Sequence, residues 1–201
     1  MLYLPKMLLV GATGRDAGKT TFVCGLLRYF SSMGLAAVKV TVIRERNGEC
    51  PRGGEGCGVC ASLDGRFMVT EETIRTGSKD TQRMLAAGAR PVFWLRTFLR
   101  DAEDGFKALL DELGPETPFI CESNSLRQVI VPGLFVMVAN KKATIIKESA
   151  ASVIRDADLV IASDGTAFEF DCGRIEFTGA AWRLKNDMNT RAGSGEECGL
   201  R

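Results

Sequence analysis

A short apolar run, Met7-Leu8-Leu9-Val10, passes directly into Gly11-Ala12-Thr13-Gly14-Arg15-Asp16-Ala17-Gly18-Lys19-Thr20-Thr21, and this junction restricts the fold more than any other stretch. The run reads as a buried strand. From Thr20 to Ser32, the apolar residues Phe22, Val23, Leu26, Leu27 and Phe30 fall at helical spacing, and Met33-Gly34 ends the pattern. Ala36 to Ile43 turns toward β-branched residues and reads as a second strand. Strand, glycine loop, helix and strand in that order predict a right-handed crossover and a parallel sheet.

The glycine segment has the composition of a phosphate cradle. A phosphate chain needs inward-pointing backbone N–H groups, which glycines permit by close approach, and the positive end of a helix dipole behind them. The residues from Gly11 and Thr13 through Gly14, Arg15, Asp16, Ala17, Gly18, Lys19, Thr20 and Thr21 are therefore the expected nucleotide contacts. Lys19 would set its ammonium against the terminal phosphates, and the Thr20 hydroxyl would ligate Mg²⁺. Thr13 stands where the strict G-x-x-x-x-G-K-[ST] pattern has glycine, with Gly11 and Gly14 flanking it.

Strand and helix patterns continue to alternate along the chain. Helical character is expected from about Thr70 to Ala87, Phe98 to Leu113 and Lys147 to Ala157, and strands at Pro91–Leu95, Pro118–Cys121, Leu134–Val138 and Asp158–Ala162. Phe168-Glu169-Phe170, the turn Asp171-Cys172-Gly173-Arg174 and Ile175-Glu176-Phe177 read as a β-hairpin at the sheet edge. The expected fold is α/β, a mostly parallel central sheet flanked by helices with a C-terminal β-hairpin. One nucleotide-binding domain would span 1–184, with a Cys/Gly-rich insertion at 44–67 and a polar tail at 185–201.

The cradle, Val38-Lys39-Val40 with Ile43, the run Gly77-Ser78-Lys79-Asp80-Thr81-Gln82-Arg83 leading to Ala87-Gly88-Ala89, and Cys121-Glu122-Ser123 occur in one order over roughly residues 7 to 140. In these features the chain resembles the molybdopterin-guanine dinucleotide biosynthesis protein B (MobB) family, with the dethiobiotin and cobyrinic acid synthetases as cousins. The resemblance implies a GTP- or ATP-binding P-loop NTPase of the SIMIBI class, often a homodimer, assisting cofactor assembly. It implies that Lys39 reaches phosphates or substrate, that Glu122 lies near Mg²⁺, and that Asp80 faces the same cleft. The chain departs from the family at Arg44-Glu45-Arg46, where the family carries histidine, and at Glu122-Ser123-Asn124-Ser125, where Glu-Gly is usual.

Charge chemistry points to the same residues independently, because Mg²⁺ with a triphosphate requires hard oxygen ligands for the metal and cations for the phosphates. Glu122 follows the apolar run Pro118 to Cys121, at the carboxyl end of a strand, where open α/β sheets bind ligands. Lys19, Asp16 and Glu122 are the candidate catalytic groups, with Thr20 and Glu122 as the Mg²⁺ ligands. Asp16 and Asp80 read equally well as a solvated loop acid and a helix cap. Asn140-Lys141-Lys142 is similar to the guanine-reading Asn-Lys-x-Asp pattern, but Ala143 stands in place of its aspartate.

Cys50, Cys57 and Cys60 lie amid glycines at C-x6-C-x2-C spacing. Thiolates so placed suit Zn²⁺ or an iron–sulfur cluster, with a fourth ligand from Cys121, Cys24, a second subunit or substrate. A redox pair at Cys57 and Cys60, or a plain flexible loop, are the other readings. Histidine is absent from the chain, so acid–base or metal chemistry falls to carboxylates, lysines and thiolates.

With 26 Lys and Arg against 25 Asp and Glu, the net charge of +1 argues against nucleic acid and anionic lipid as partners. Pro5 and Lys6 interrupt the N-terminal apolar run, and no stretch approaches the about 20 apolar residues of a membrane span, so a cytoplasmic location is expected. Three functions fit. The first is an accessory protein with slow hydrolysis that serves molybdenum or a related metallocofactor, with a metalloenzyme or biosynthetic partner. The others are an ATP-dependent synthetase acting on a small carboxylate and a nucleotide-gated metal or cofactor binder with little turnover.

Overall fold

The computed structural model describes residues 1–43, 63, 65–143 and 145–185. The chain begins with β1 (Leu2–Ala12), α1 (Lys19–Tyr29), β2 (Ala36–Ile43), β3 (Phe67–Glu71), α2 (Asp80–Ala86) and β4 (Val92–Phe98). It continues with α3 (Ala102–Leu113), β5 (Phe119–Glu122), β6 (Ile130–Asn140), α4 (Glu148–Ala151), β7 (Leu159–Ser163), β8 (Ile175–Phe177) and β9 (Trp182–Leu184). Seven strands form one sheet in the order β3-β4-β2-β5-β1-β6-β7, parallel except for β3, which runs antiparallel to β4 at the edge. The α/β architecture expected from the alternating pattern is therefore present. No helix among the described residues is long and apolar enough to cross a membrane.

The central strands are apolar on both faces because each face is covered. On one side Leu8, Val10, Ala37 and Val92 pack with Phe22, Leu26 and Leu27 of α1 and Met84 and Leu85 of α2. On the other Leu9, Val38, Leu95 and Phe135 pack with Phe106, Leu109 and Leu113 of α3 and with Ala150 of α4. This two-sided burial is the pattern of a parallel sheet. β1 extends past the expected run because Leu2–Leu4 also pair with β6, and Pro5-Lys6 fall where the register between the two strands shifts.

The helix expected from Lys147 to Ala157 is shorter, with α4 ending at Ala151 and a separate 3-10 turn at Ile154–Asp156, and two further elements differ in kind. Thr70 is not in a helix: Phe67 to Glu71 pair with β4, since Phe, Val and Thr favour a pleated surface, and the helix starts only at Asp80. The hairpin is β8 with β9, a separate two-stranded sheet, rather than Phe168–Phe170 with Ile175–Phe177. Phe168 and Phe170 instead bring their rings to Phe22 of α1, at 5.2 and 6.1 Å between centroids. Burial of two aromatic rings on the core outweighs the alternation that suggested strand pairing.

Candidate functional site

The chain leaves β1 for α1, fills the sheet on one side through β2, β3 and β4, returns through β5 beside β1, and goes out the other side through β6 and β7. This reversal of strand order opens a crevice at the carboxyl ends of the strands. A cleft of about 1100 Å³ lies there, lined by Gly14 to Thr21, by Lys39 and Thr41–Ile43 of β2, by Asp80 and Arg83 of α2, and by Glu122. Ser125, Lys147–Ser149 and Asp164–Thr166 complete its walls.

The loop from Thr13 to Gly18 is fixed from behind by Asn124 and by the hydrogen bonds of Thr13 itself. Asn124 uses its amide like a peptide, accepting from the Ala12 N–H and donating to the Ala12 carbonyl, both at 2.8 Å. This gives the Ser123-Asn124 departure a structural use. Thr13 is buried; its N–H donates to the Val138 carbonyl at 2.9 Å, its carbonyl accepts from the Lys147 N–H, and its hydroxyl accepts from the Asn140 N–H at 3.1 Å. A glycine at 13 would lose that last anchor. Gly11 sits inside β1, where a Cβ would lie 2.4 Å from the Met137 sulfur.

Gly11, Thr13 and Asn140 thus stand behind the cleft wall, whereas Gly14, Arg15, Asp16, Ala17, Gly18, Lys19, Thr20 and Thr21 line it. Asn140 closes its own turn, its side-chain oxygen accepting from the Lys142 N–H at 2.9 Å. Asp16 adopts φ 56° and Gly18 φ 80°, so the chain turns sharply into α1. The turn after β7 presses on this loop: a Cβ at Gly18 would meet the Gly165 carbonyl oxygen at 2.6 Å.

Gly18 occupies the N-cap of α1 and offers no side chain, so the first-turn amides of this 11-residue helix have no side-chain cap. Such amides, with the helix dipole, favour an anion. Beside them Glu122, 3% exposed, gathers three groups. The Thr20 hydroxyl donates to its Oε2 at 2.7 Å, Lys39 Nζ lies 3.0 Å from Oε1, and Lys19 Nζ lies 3.5 Å from the same oxygen. Lys39 also pairs with Asp80. Register explains the Lys39–Glu122 contact, since the two are direct partners across β2 and β5.

Burial opposes ionisation of Glu122, but the two ammonium groups and the Thr20 and Lys39 hydrogen bonds outweigh it, and the carboxyl is held below its ordinary value. Burial likewise works against the charge on Lys39, and Glu122 and Asp80 overcome it, raising the ammonium above its usual range. The Asp164 carboxyl is held down to about 2, chiefly by the Ala167 and Thr166 N–H groups that it accepts.

Thr20 and Glu122 fit Mg²⁺, which takes hard oxygens and is held by one or two carboxylates with phosphate and water rather than by an all-protein cage. Among the described residues no group of three or more histidine, cysteine or carboxylate residues gathers as a metal cluster. Cys50, Cys57 and Cys60 lie outside the described residues. Cys24 and Cys121, the expected completing ligands, are buried thiols in opposite faces of the core. Burial pushes both thiols up, Cys121 strongly, and this disfavours the thiolate that a metal needs.

Sequence reasoning missed Arg83, Lys147–Ser149 and Asp164–Thr166 as cleft residues. The Arg83 position in the Gly77–Arg83 run was the only signal among them. Comparison with protein-family models, with curated proteins and with solved structures gives no match.

Proposed function

We propose that the protein binds a purine nucleoside triphosphate with Mg²⁺ and hydrolyses it slowly, as an accessory factor in the maturation of a molybdenum or related metallocofactor. The observation that carries the nucleotide reading is the uncapped start of α1, where Lys19 and Thr20 converge on the buried Glu122 carboxylate. Polyphosphate would take the first-turn amides and draw Lys19 off Glu122. Thr20 and Glu122 would hold Mg²⁺, which would supply positive charge against the phosphates. Asp16, which lines the loop side of the cleft, would orient the attacking water. The cofactor-assembly role rests on the resemblance to the MobB family, as does homodimerisation.

A second reading, an ATP-dependent synthetase acting on a small carboxylate, draws on a separate observation. The cleft continues past the phosphate loop to Lys39, Thr41 and Ile43. That leaves room beside the terminal phosphate for an acceptor that Lys39 could pair with.

Calorimetric titration decides the first point. Wild-type protein should bind Mg²⁺ with ATP or GTP, and Lys19→Ala should lose that affinity by about 100-fold or more, the scale of a charge-assisted contact in a water-poor site. Undiminished binding by the variant would refute the site. Steady-state hydrolysis with a panel of small carboxylic acids then separates the two readings, because a large acid-dependent rate would favour the synthetase.

A further inference from the structure

α2 brings a second charged residue to the cleft besides Asp80. Three positions further along the same helix, Arg83 lines the cavity, and its Nη2 donates to the Thr21 hydroxyl at 3.0 Å. Thr21 lies in the first turn of α1, next to Thr20, so the guanidinium is seated against the uncapped end of that helix. The cations around the loop are not equivalent. Lys19 is matched by Glu122, and Lys39 by Glu122 and Asp80. Arg83 forms no ion pair among the described residues; the neutral Thr21 hydroxyl is its hydrogen-bond partner.

A guanidinium is ionised at every physiological pH and presents a planar fork of donors suited to phosphate. Here it is half-buried at the positive end of a helix dipole, and among the described residues most of its N–H groups have no acceptor and no carboxylate pairs with it. Two positive poles held together in this way are satisfied by an anion placed between them. Holding α1 to α2 does not require a charge, since a neutral donor would serve the same hydroxyl.

We propose that Arg83 is a catalytic residue: a guanidinium supplied in cis by α2 that contacts the phosphate chain beside the first turn of α1 and stabilises the charge formed on the leaving diphosphate. This rests on the nucleotide reading above. In the hydrolytic step water attacks the terminal phosphorus, and the bond from that phosphorus to the bridging oxygen breaks. The electron pair stays on the diphosphate oxygen, and a water proton is released as inorganic phosphate forms. Arg83 neither gains nor loses a proton. The Lys39–Asp80 ion pair holds α2 in register with β2, so Asp80 acts as a positioning residue for the guanidinium.

The test uses the full chain with Arg83→Ala and Arg83→Lys. Single-turnover hydrolysis of ATP and of GTP is measured, along with calorimetric affinity for the matching diphosphate with Mg²⁺, alone and with aluminium fluoride. Arg83→Ala should slow the single-turnover rate by about 10²–10³-fold, the scale of a lost donor to transition-state charge. Its affinity for the diphosphate alone should change by less than about 10-fold, and the gain from aluminium fluoride should vanish. Arg83→Lys keeps the charge without the fork, so it should fold and show an intermediate rate. A residue that only joins the two helices would weaken both diphosphate complexes equally and leave the rate within about twofold in Arg83→Lys; that result would overturn the assignment. Wild-type protein that binds neither nucleotide would instead remove the nucleotide reading, and this proposal with it.

Discussion

Burial pushes the Glu122 carboxyl up, yet Lys19, Lys39 and the Thr20 hydroxyl all reach it and together hold it below its ordinary value. A carboxylate whose pKa is lower in the folded than in the unfolded chain adds stability in full above the unfolded value. That stability is lost as pH falls through the folded value. The unfolded value is about 4.3. Glu122→Gln keeps the shape and removes the charge, so urea unfolding should show wild type more stable at about pH 6, with the gap closing as pH falls below the unfolded value. A gap independent of pH would mean that the contribution of Glu122 is not ionic. The same residue shows how far sequence reading extends. Its place at a strand end was legible from Pro118–Cys121, but the identity of the groups that ionise it depends on β2 lying next to β5.

The loop between β1 and α1 contains two glycines with opposite roles. Gly18 has φ 80° and faces the Gly165 carbonyl and the Phe168 ring, whereas Gly14 has open space where a Cβ would go. Gly18→Ala forces a left-handed backbone on alanine and a clash with main chain, and it should lower stability by about 1–3 kcal/mol. Gly14→Ala should leave stability within about 1 kcal/mol of wild type, and any loss of nucleotide affinity then reports close approach of a ligand to that backbone. Chemical denaturation of both variants beside a binding titration separates the effects; equal destabilisation would contradict this assignment. Elsewhere, element type was readable where periodicity was long, as in α3. It was not readable at Thr70, where pairing with β4 overrides local helical character.

At the scale of the molecule, the chain's last described elements close the core beneath α1. Trp182 is 1% exposed, its ring centroid lies 5.1 Å from that of Phe30 and 5.2 Å from that of Phe177, and its indole N–H donates to the Lys6 carbonyl at 3.0 Å. Trp182→Ala should cost about 3–5 kcal/mol in denaturant unfolding, and Trp182→Phe less, since the ring volume is largely kept. A loss under about 1 kcal/mol for the alanine variant would show that the hairpin is peripheral to the fold. The sequence alone determined the alternating α/β plan and the glycine loop between a buried strand and an amphipathic helix, because hydrophobic period and glycine content act within a few residues along the chain. Tertiary structure alone decided that Thr13 and Asn140 stand behind the cleft while Arg83 and Asp164 face it, and that Lys39 meets Glu122. Those pairings depend on strand order and helix docking, which bring together residues tens of positions apart and leave no local pattern to read.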